Sequence, residues 1–371
     1  MVERVLLVPG FLGFQRLGRL PYFVGVDEVL QRALAERGID AQIETMQTLP
    51  TSSLRARARR LAERVAGLEP ADAVHLVAHS TGGLDSRTML SAHASLGEAL
   101  DTEGASSRVR TVVSVCTPHH GTPLATFFVG AQGRRLLRLL SLMMVHGLRR
   151  ARRPLSGLVR AGRILLWLDE LIHVDRTILR QLYEELLDDV PPEVAVEIQR
   201  MLDHIGDDQS LIEQLGPAAI DILNAVTNDR PGVRYGCVVA GSPRPGLRTV
   251  LDVGREPYDQ VTHAIYQALY RITARFPRRF VPALSPLQES KLTTIFGNSW
   301  SHEANDGFVP TLSQIHGELV HVARADHLDV MGYFRQPGDG RHVDWLASGS
   351  GFRRHHFEAL WRSVARFIAA R

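Results

Sequence analysis

Three side chains far apart in the chain, Ser80, Asp306 and His327, have the types and the order needed to make a nucleophile. A serine hydroxyl attacks poorly at neutral pH. It attacks well when an imidazole within hydrogen-bond reach takes its proton, a carboxylate orients the imidazole, and backbone N–H groups receive the negative oxygen of the attacked carbonyl. Ser80 stands in Ala78-His79-Ser80-Thr81-Gly82, between the apolar run Val74 to Ala78 and a stretch able to start a helix. Small residues around a serine at a sharp strand-to-helix corner leave its hydroxyl exposed. The plainer alternative is a serine that caps the helix.

The oxyanion donors follow from position. One is the backbone N–H of Thr81, next after the serine. The other comes from the loop after an earlier strand, and "RVLLVPGFLGF" supplies a strand running into glycine with Phe11 next. Pro9 removes a donor from that turn but leaves the Phe11 N–H intact. The acid candidate is Asp306 in "EANDGFVP", a turn signal in its own right. It lies 21 residues before His327 in "HVARADHLDV", room for a turn, a crossover helix and a strand. Asp326 and Asp329 are rival acids, but stand too near His327 along the chain to orient its ring well.

These residues need a scaffold. Short β-rich runs recur at Val5 to Val8, Val74 to Ala78, Val112 to Cys116, Val233 to Ala240 and Leu319 to Val322, as in strands buried on both faces of a parallel sheet. A helix pattern places Val29, Leu30, Ala33 and Leu34 on one face and ends near Gly38; another spans Leu54 to Leu68. Strand and helix in alternation predict a doubly wound α/β domain. From 122 to 231 the pattern is helical instead. Val194, Ile198, Met201 and Ile205 recur at helical spacing. Charge divides this insert and its approach: eleven arginines and no acid from Gly104 to Leu168, thirteen acids and three arginines from Asp169 to Glu213.

With 371 residues, 44% of them hydrophobic, the chain can bury a large core. Two cysteines, Cys116 and Cys237, cannot build a disulfide framework and read as buried strand thiols. Net charge is +3, and no DNA- or RNA-reading motif accompanies it, so nucleic acid is not an expected partner. No apolar run approaches the ~18 residues of a membrane span. Met1 leads straight into strand-like sequence with no signal peptide, which points to the cytoplasm; a secreted mature form is the alternative.

The segments "LLVPGFLGF", "VAHSTGGLDSR", "CTPHHGTPLA", "NDGFVP" and "DHLD" together resemble the bacterial triacylglycerol lipase and esterase family of the α/β-hydrolase fold. The resemblance covers roughly 1–125 and 232–371. The departures are Ala78 for glycine, Pro9 for histidine and Cys116 where a small glycine is common. It implies an α/β-hydrolase core over 1–121 and 232–371 with a large helical lid or cap over 122–231. It also implies ester hydrolysis through an acyl-enzyme on Ser80, His327 and Asp306, with Phe11 and Thr81 as the oxyanion hole and no required cofactor. The substrate would be a small-molecule or lipid ester. His119 and His120 would lie at the rim of the site. A structural calcium, held in some such lipases by an aspartate two residues beyond the histidine, would fall on Asp329, although no convincing second carboxylate stands out. Leu139, Met143 and Met144, in an arginine-flanked apolar segment, would cover or line the acyl pocket, and that segment could touch a lipid surface. An intracellular polyester (polyhydroxyalkanoate) depolymerase, a thioesterase or an acyltransferase would share the triad. A non-enzymatic binding protein on the same fold would usually have lost one of its members.

Overall fold

A computed structural model describes residues 2–17, 20–92, 95–97, 100–130, 192–254, 256–298, 300–336 and 344–370. The chain opens with β1 (Glu3–Val8) and a minimal hairpin, β2 (Arg16–Leu17) and β3 (Leu20–Pro21). It continues through α1 (Val26–Ala35), β4 (Ala41–Thr45), α2 (Leu54–Ala66), β5 (Ala73–His79), α3 (Thr81–Leu90), α4 (Thr102–Ser107), β6 (Val109–Val115) and α5 (Pro123–Val129). After the interruption come α6 (Pro192–Asp207), α7 (Ser210–Gln214), α8 (Pro217–Val226), β7 (Arg234–Gly241), α9 (Leu247–Val253), α10 (Pro257–Thr273), α11 (Pro286–Phe296), β8 (Glu318–Arg324) and α12 (Arg354–Ala369).

Six strands form one sheet in the order β4-β1-β5-β6-β7-β8, and every pairing is parallel. Parallel strands need crossovers, and the helices that make them cover both faces. Alternation along β1 shows the two layers. Val5 and Leu7 join the apolar cluster of α1 and α12, whereas Leu6 and Val8 join that of α2. The predicted face of α1 is buried: Val29, Leu30, Ala33 and Leu34 all point inward, and Gly38 takes φ 73° where the chain leaves the helix. All seven residues of β5 are buried, its two histidines, His75 and His79, included.

Three features depart from the sequence expectation. Strand β4 escaped notice because it is an edge strand in which only Ala41 is fully buried, so "AQIET" shows no continuous apolar run. Cys116 stands just past the end of β6, at φ 53°, instead of inside the strand. No crossover helix separates Asp306 from His327; only a single 3-10 turn, Thr311–Gln314, lies between Asp306 and β8. The crossover is made earlier, by α9, α10 and α11, so the loop bearing Asp306 needs only to turn into β8.

Among the described residues, no helix is long and apolar enough to cross a membrane. Within the stretch read as an insert, the predicted helix at Ile198, Met201 and Ile205 is α6, with those three side chains buried. Leu139, Met143 and Met144 lie outside the described residues.

Candidate active site

Ser80 occupies the joint between β5 and α3 at φ 54°, ψ −128°. A positive φ costs a residue with a Cβ on the order of 1–3 kcal/mol, which surrounding structure must impose. Here the Ser80 N–H donates to the Val115 carbonyl at 2.8 Å, and the Ser80 carbonyl accepts from the Gly83 N–H at 3.1 Å. Two glycines make the corner fit. A Cβ on Gly10 would stand 2.6 Å from the Ser80 Cβ, and one on Gly82 would stand 2.7 Å from the Val8 carbonyl oxygen. Ala78 is accommodated because its methyl packs into the apolar cluster beside Leu6, Val8 and Leu76. The Ser80 side chain caps nothing; its Oγ lies 3.0 Å from His327 Nε2.

The imidazole of His327 meets Asp306 on its other side, with Nδ1 2.7 Å from Oδ2. A carboxylate only accepts, so Nδ1 carries the proton and Nε2 is bare toward the serine. Asp306 is held in turn by four donors. Its Oδ1 accepts from the N–H groups of Phe308 (2.9 Å) and Val309 (2.7 Å), and its Oδ2 also accepts from Gln314 Nε2 at 3.1 Å. The His327 N–H donates to the Asp306 carbonyl at 3.0 Å, tying the two loops together.

Neither rival acid contacts the His327 ring. Asp326 Oδ1 accepts from the N–H groups of Leu328 and Asp329, and Oδ2 from the Ser348 hydroxyl. Asp329 Oδ2 accepts from the Asp326 N–H and the Ser350 hydroxyl. Both brace the histidine loop against the segment at 348–350. Burial pushes the Asp326 carboxyl up to about 6. Burial, then the charges of Asp326 and Asp344, push Asp329 well above the usual range.

The Phe11 and Thr81 N–H groups find no protein acceptor among the described residues. The loop carrying Phe11 is fastened from beneath by Arg57, which the sequence reading missed. Arg57 is fully buried, and its Nη2 donates to the carbonyls of Pro9 (3.1 Å) and Gly10 (3.0 Å). Its Nε donates to the Asp85 carboxylate at 3.0–3.1 Å. Arginine in "LRARARRLAER" reads as solvated surface; the available signal was Asp85, an acid inside an otherwise uncharged start to α3. Arg57→Met would strand a buried carboxylate, so it should lower unfolding stability by about 3–5 kcal/mol. The double variant Arg57→Met/Asp85→Leu should recover much of that loss, as read by denaturant melts.

Over these groups lies a cavity of about 130 Å³ whose wall is almost wholly apolar, formed in part by Leu12, Phe128, Ile212, Leu215, Ile265 and Trp345. Ser80, Thr81 and His327 border it. Helices α5 and α7 supply Phe128 and Ile212. His119 and His120 do not line it, contrary to expectation. The chain turns so that Pro118 and Thr122 face the cavity. His119 points away, its Nε2 2.9 Å from Ser114 Oγ and its ring stacked on His316 at 4.7 Å; burial holds its pKa well below the usual value. His120 donates its N–H to Ser313 Oγ, and burial together with the nearby Arg87 lowers its imidazole to about 4.

Among the described residues, Asp329 belongs to no group of three His, Cys, Asp or Glu whose ligand atoms all lie within 4.8 Å of one another. Among the described residues, the one grouping of His, Cys, Asp and Glu with ligand atoms all within 4.8 Å of one another is Cys116, Asp306 and His327, at the acid and base themselves. Calcium wants six or more oxygens; Asp329 Oδ2 accepts from two donors, and Asp326 and Asp344 lie near enough for their charges to raise the Asp329 carboxyl, with Asp329 and Asp344 bordering one pocket. Both cysteines are free and buried.

No protein-family model and no curated protein matches the chain. Solved structures do. Lipase 1 from Pelosinus fermentans aligns over 100% of this chain and 99% of its own, at 17% identity and TM-score 0.57. Staphylococcus hyicus lipase aligns over 99% and 95%, at 14% identity and TM-score 0.53. EstA from Clostridium botulinum aligns over 95% and 87%, at 16% identity and TM-score 0.50. At such identities the likeness is one of fold, and the parallel sheet with helices on both faces is an α/β-hydrolase fold. Function has to be argued from the site.

Proposed function

We propose that the protein hydrolyses carboxylic esters through an acyl-enzyme. In this reading, His327 Nε2 takes the Ser80 proton as Oγ attacks the ester carbonyl. The oxyanion is received by the Phe11 and Thr81 N–H groups, and Asp306 orients the imidazole and stabilises its positive form. The proton then passes from His327 to the leaving alkoxide, and the acyl group stays on Oγ. Water, deprotonated by the same imidazole, releases the acid. Every step uses the chain's own groups. The observation that carries the reading is the continuous Asp306–His327–Ser80 hydrogen-bond chain, ending on a serine that borders an apolar cavity.

The cavity would take the acyl chain, which fits a small-molecule or lipid ester better than a charged acyl donor. An aryl ester series from acetate to dodecanoate tests this. Each methylene buried is worth about 0.8 kcal/mol, so kcat/KM should rise roughly fourfold per methylene until the cavity is filled, and then fall. A flat series would detach the cavity from the acyl group. The proposal routes no step through calcium, so a chelator should leave initial rates unchanged. Complete inactivation reversed by calcium alone would defeat that part of the reading.

A further inference from the structure

Two buried side chains that border the same cavity take no part in the chemistry proposed above. Tyr22 lies just past β3, and His79 is the last residue of β5, bonded covalently to Ser80. Tyr22 Oη lies 2.9 Å from the Gly10 N and 3.0 Å from His79 Nδ1, and His79 Nε2 lies 3.1 Å from the His327 carbonyl oxygen.

The direction of each bond is forced. A carbonyl oxygen only accepts, so His79 Nε2 carries a proton. Burial, then the neighbouring His327, hold the His79 pKa well below its usual value. The ring is therefore neutral, its Nδ1 is bare, and Nδ1 must accept from the Tyr22 hydroxyl. The Tyr22 oxygen is then free to accept from the Gly10 N–H. A one-way chain runs from the strap carrying Phe11, through Tyr22 and His79, to the main chain of His327.

We propose that Tyr22 and His79 are positioning residues: together they fix the base loop and the oxyanion strap relative to each other, on either side of Ser80. This rests on the ester-hydrolase reading. Base, nucleophile and oxyanion donors come from three separate loops, and errors of a few tenths of an ångström between them slow the reaction. His79 has a second reason to stay neutral. Its ring centroid is 4.6 Å from that of His327, and a cation there would oppose the positive charge the base must acquire. Packing alone accounts for the tyrosine ring, which makes edge contacts with Phe14 and Phe23. It does not account for the hydroxyl.

The test uses the whole protein, an acetyl aryl ester, and the variants Tyr22→Phe, His79→Gln, His79→Leu and Tyr22→Phe/His79→Leu. Tyr22→Phe should lower kcat about tenfold with KM within about twofold, the loss of one aligned hydrogen bond. His79→Leu should lower kcat about a hundredfold. His79→Gln places an N–H near the position of Nε2 and should recover about tenfold of that. The double variant should be no slower than His79→Leu, because the chain is already broken; independent residues would give losses that multiply. Unchanged kcat in Tyr22→Phe, multiplying losses, or Gln no better than Leu would each overturn the proposal. If His79→Leu fails to fold, Tyr22→Phe decides alone. Wild-type hydrolysis that Ser80→Ala abolishes secures the parent reading, so its failure is seen separately. A wild type without ester hydrolysis defeats both.

Discussion

Replacing Ser80 with alanine is expected to lower the turnover of ester hydrolysis by on the order of 10⁶, the loss seen when a protease of this mechanism is stripped of its nucleophile. Little else should change. Alanine inherits the same positive φ, so the strain at the corner persists, and the Val115 and Gly83 bonds that impose it are backbone bonds. Among the described residues, the hydroxyl removed has one hydrogen-bond partner, His327 Nε2. Melting temperature should therefore stay near that of the wild type. More than a few per cent of wild-type rate, in protein free of contaminating esterase, would reject Ser80 as the nucleophile.

The second large effect concerns the acid. Asp306→Asn should lower turnover by on the order of 10⁴. The amide keeps the volume, and its carbonyl can still accept from Phe308 and Val309. Its NH₂ group would then face His327 Nδ1 and favour the tautomer that puts a proton on Nε2, where it cannot accept from the serine. Asp326→Asn disturbs a different set of bonds, those of Leu328, Asp329 and Ser348. It should act chiefly on the stability of the histidine loop and leave turnover within about tenfold. Turnover and thermal melts on both variants separate the two. A larger kinetic loss in Asp326→Asn, with both proteins folded, would move the role of the acid to Asp326.

What the sequence revealed depended on whether each residue's environment is local in the chain. Ser80 was legible because its corner is built from immediate neighbours: an apolar run before it and Gly82 after it. Asp306 was legible through the turn chemistry of Asn-Asp-Gly and the order of the three residues, and its choice over Asp326 and Asp329 followed from chain geometry. Arg57 and Tyr22 were not legible. What distinguishes them is carbonyls and imidazoles brought in by other strands, and nothing in "RARARR" or "LPYF" announces those partners. His119 and His120 were misplaced for the same reason. Their segment was rightly put near the site, but which side chains of a turn face a cavity depends on backbone direction, which residue type does not fix. The edge strand β4 was lost because exposure erased its apolar signature.

The site is divided along the chain. The proposed nucleophile and both proposed oxyanion donors belong to residues 11–81, carried by β1 and β5, whereas Asp306 and His327 flank β8, which takes its place at the far edge of the sheet. Synthesis from the N-terminus therefore delivers a serine, on strands that can already pair, long before the residues that would activate it. In the proposed reaction the growing chain would hold an inert hydroxyl through most of translation, and the addition of β8 to the sheet would be the event that switches on its chemistry.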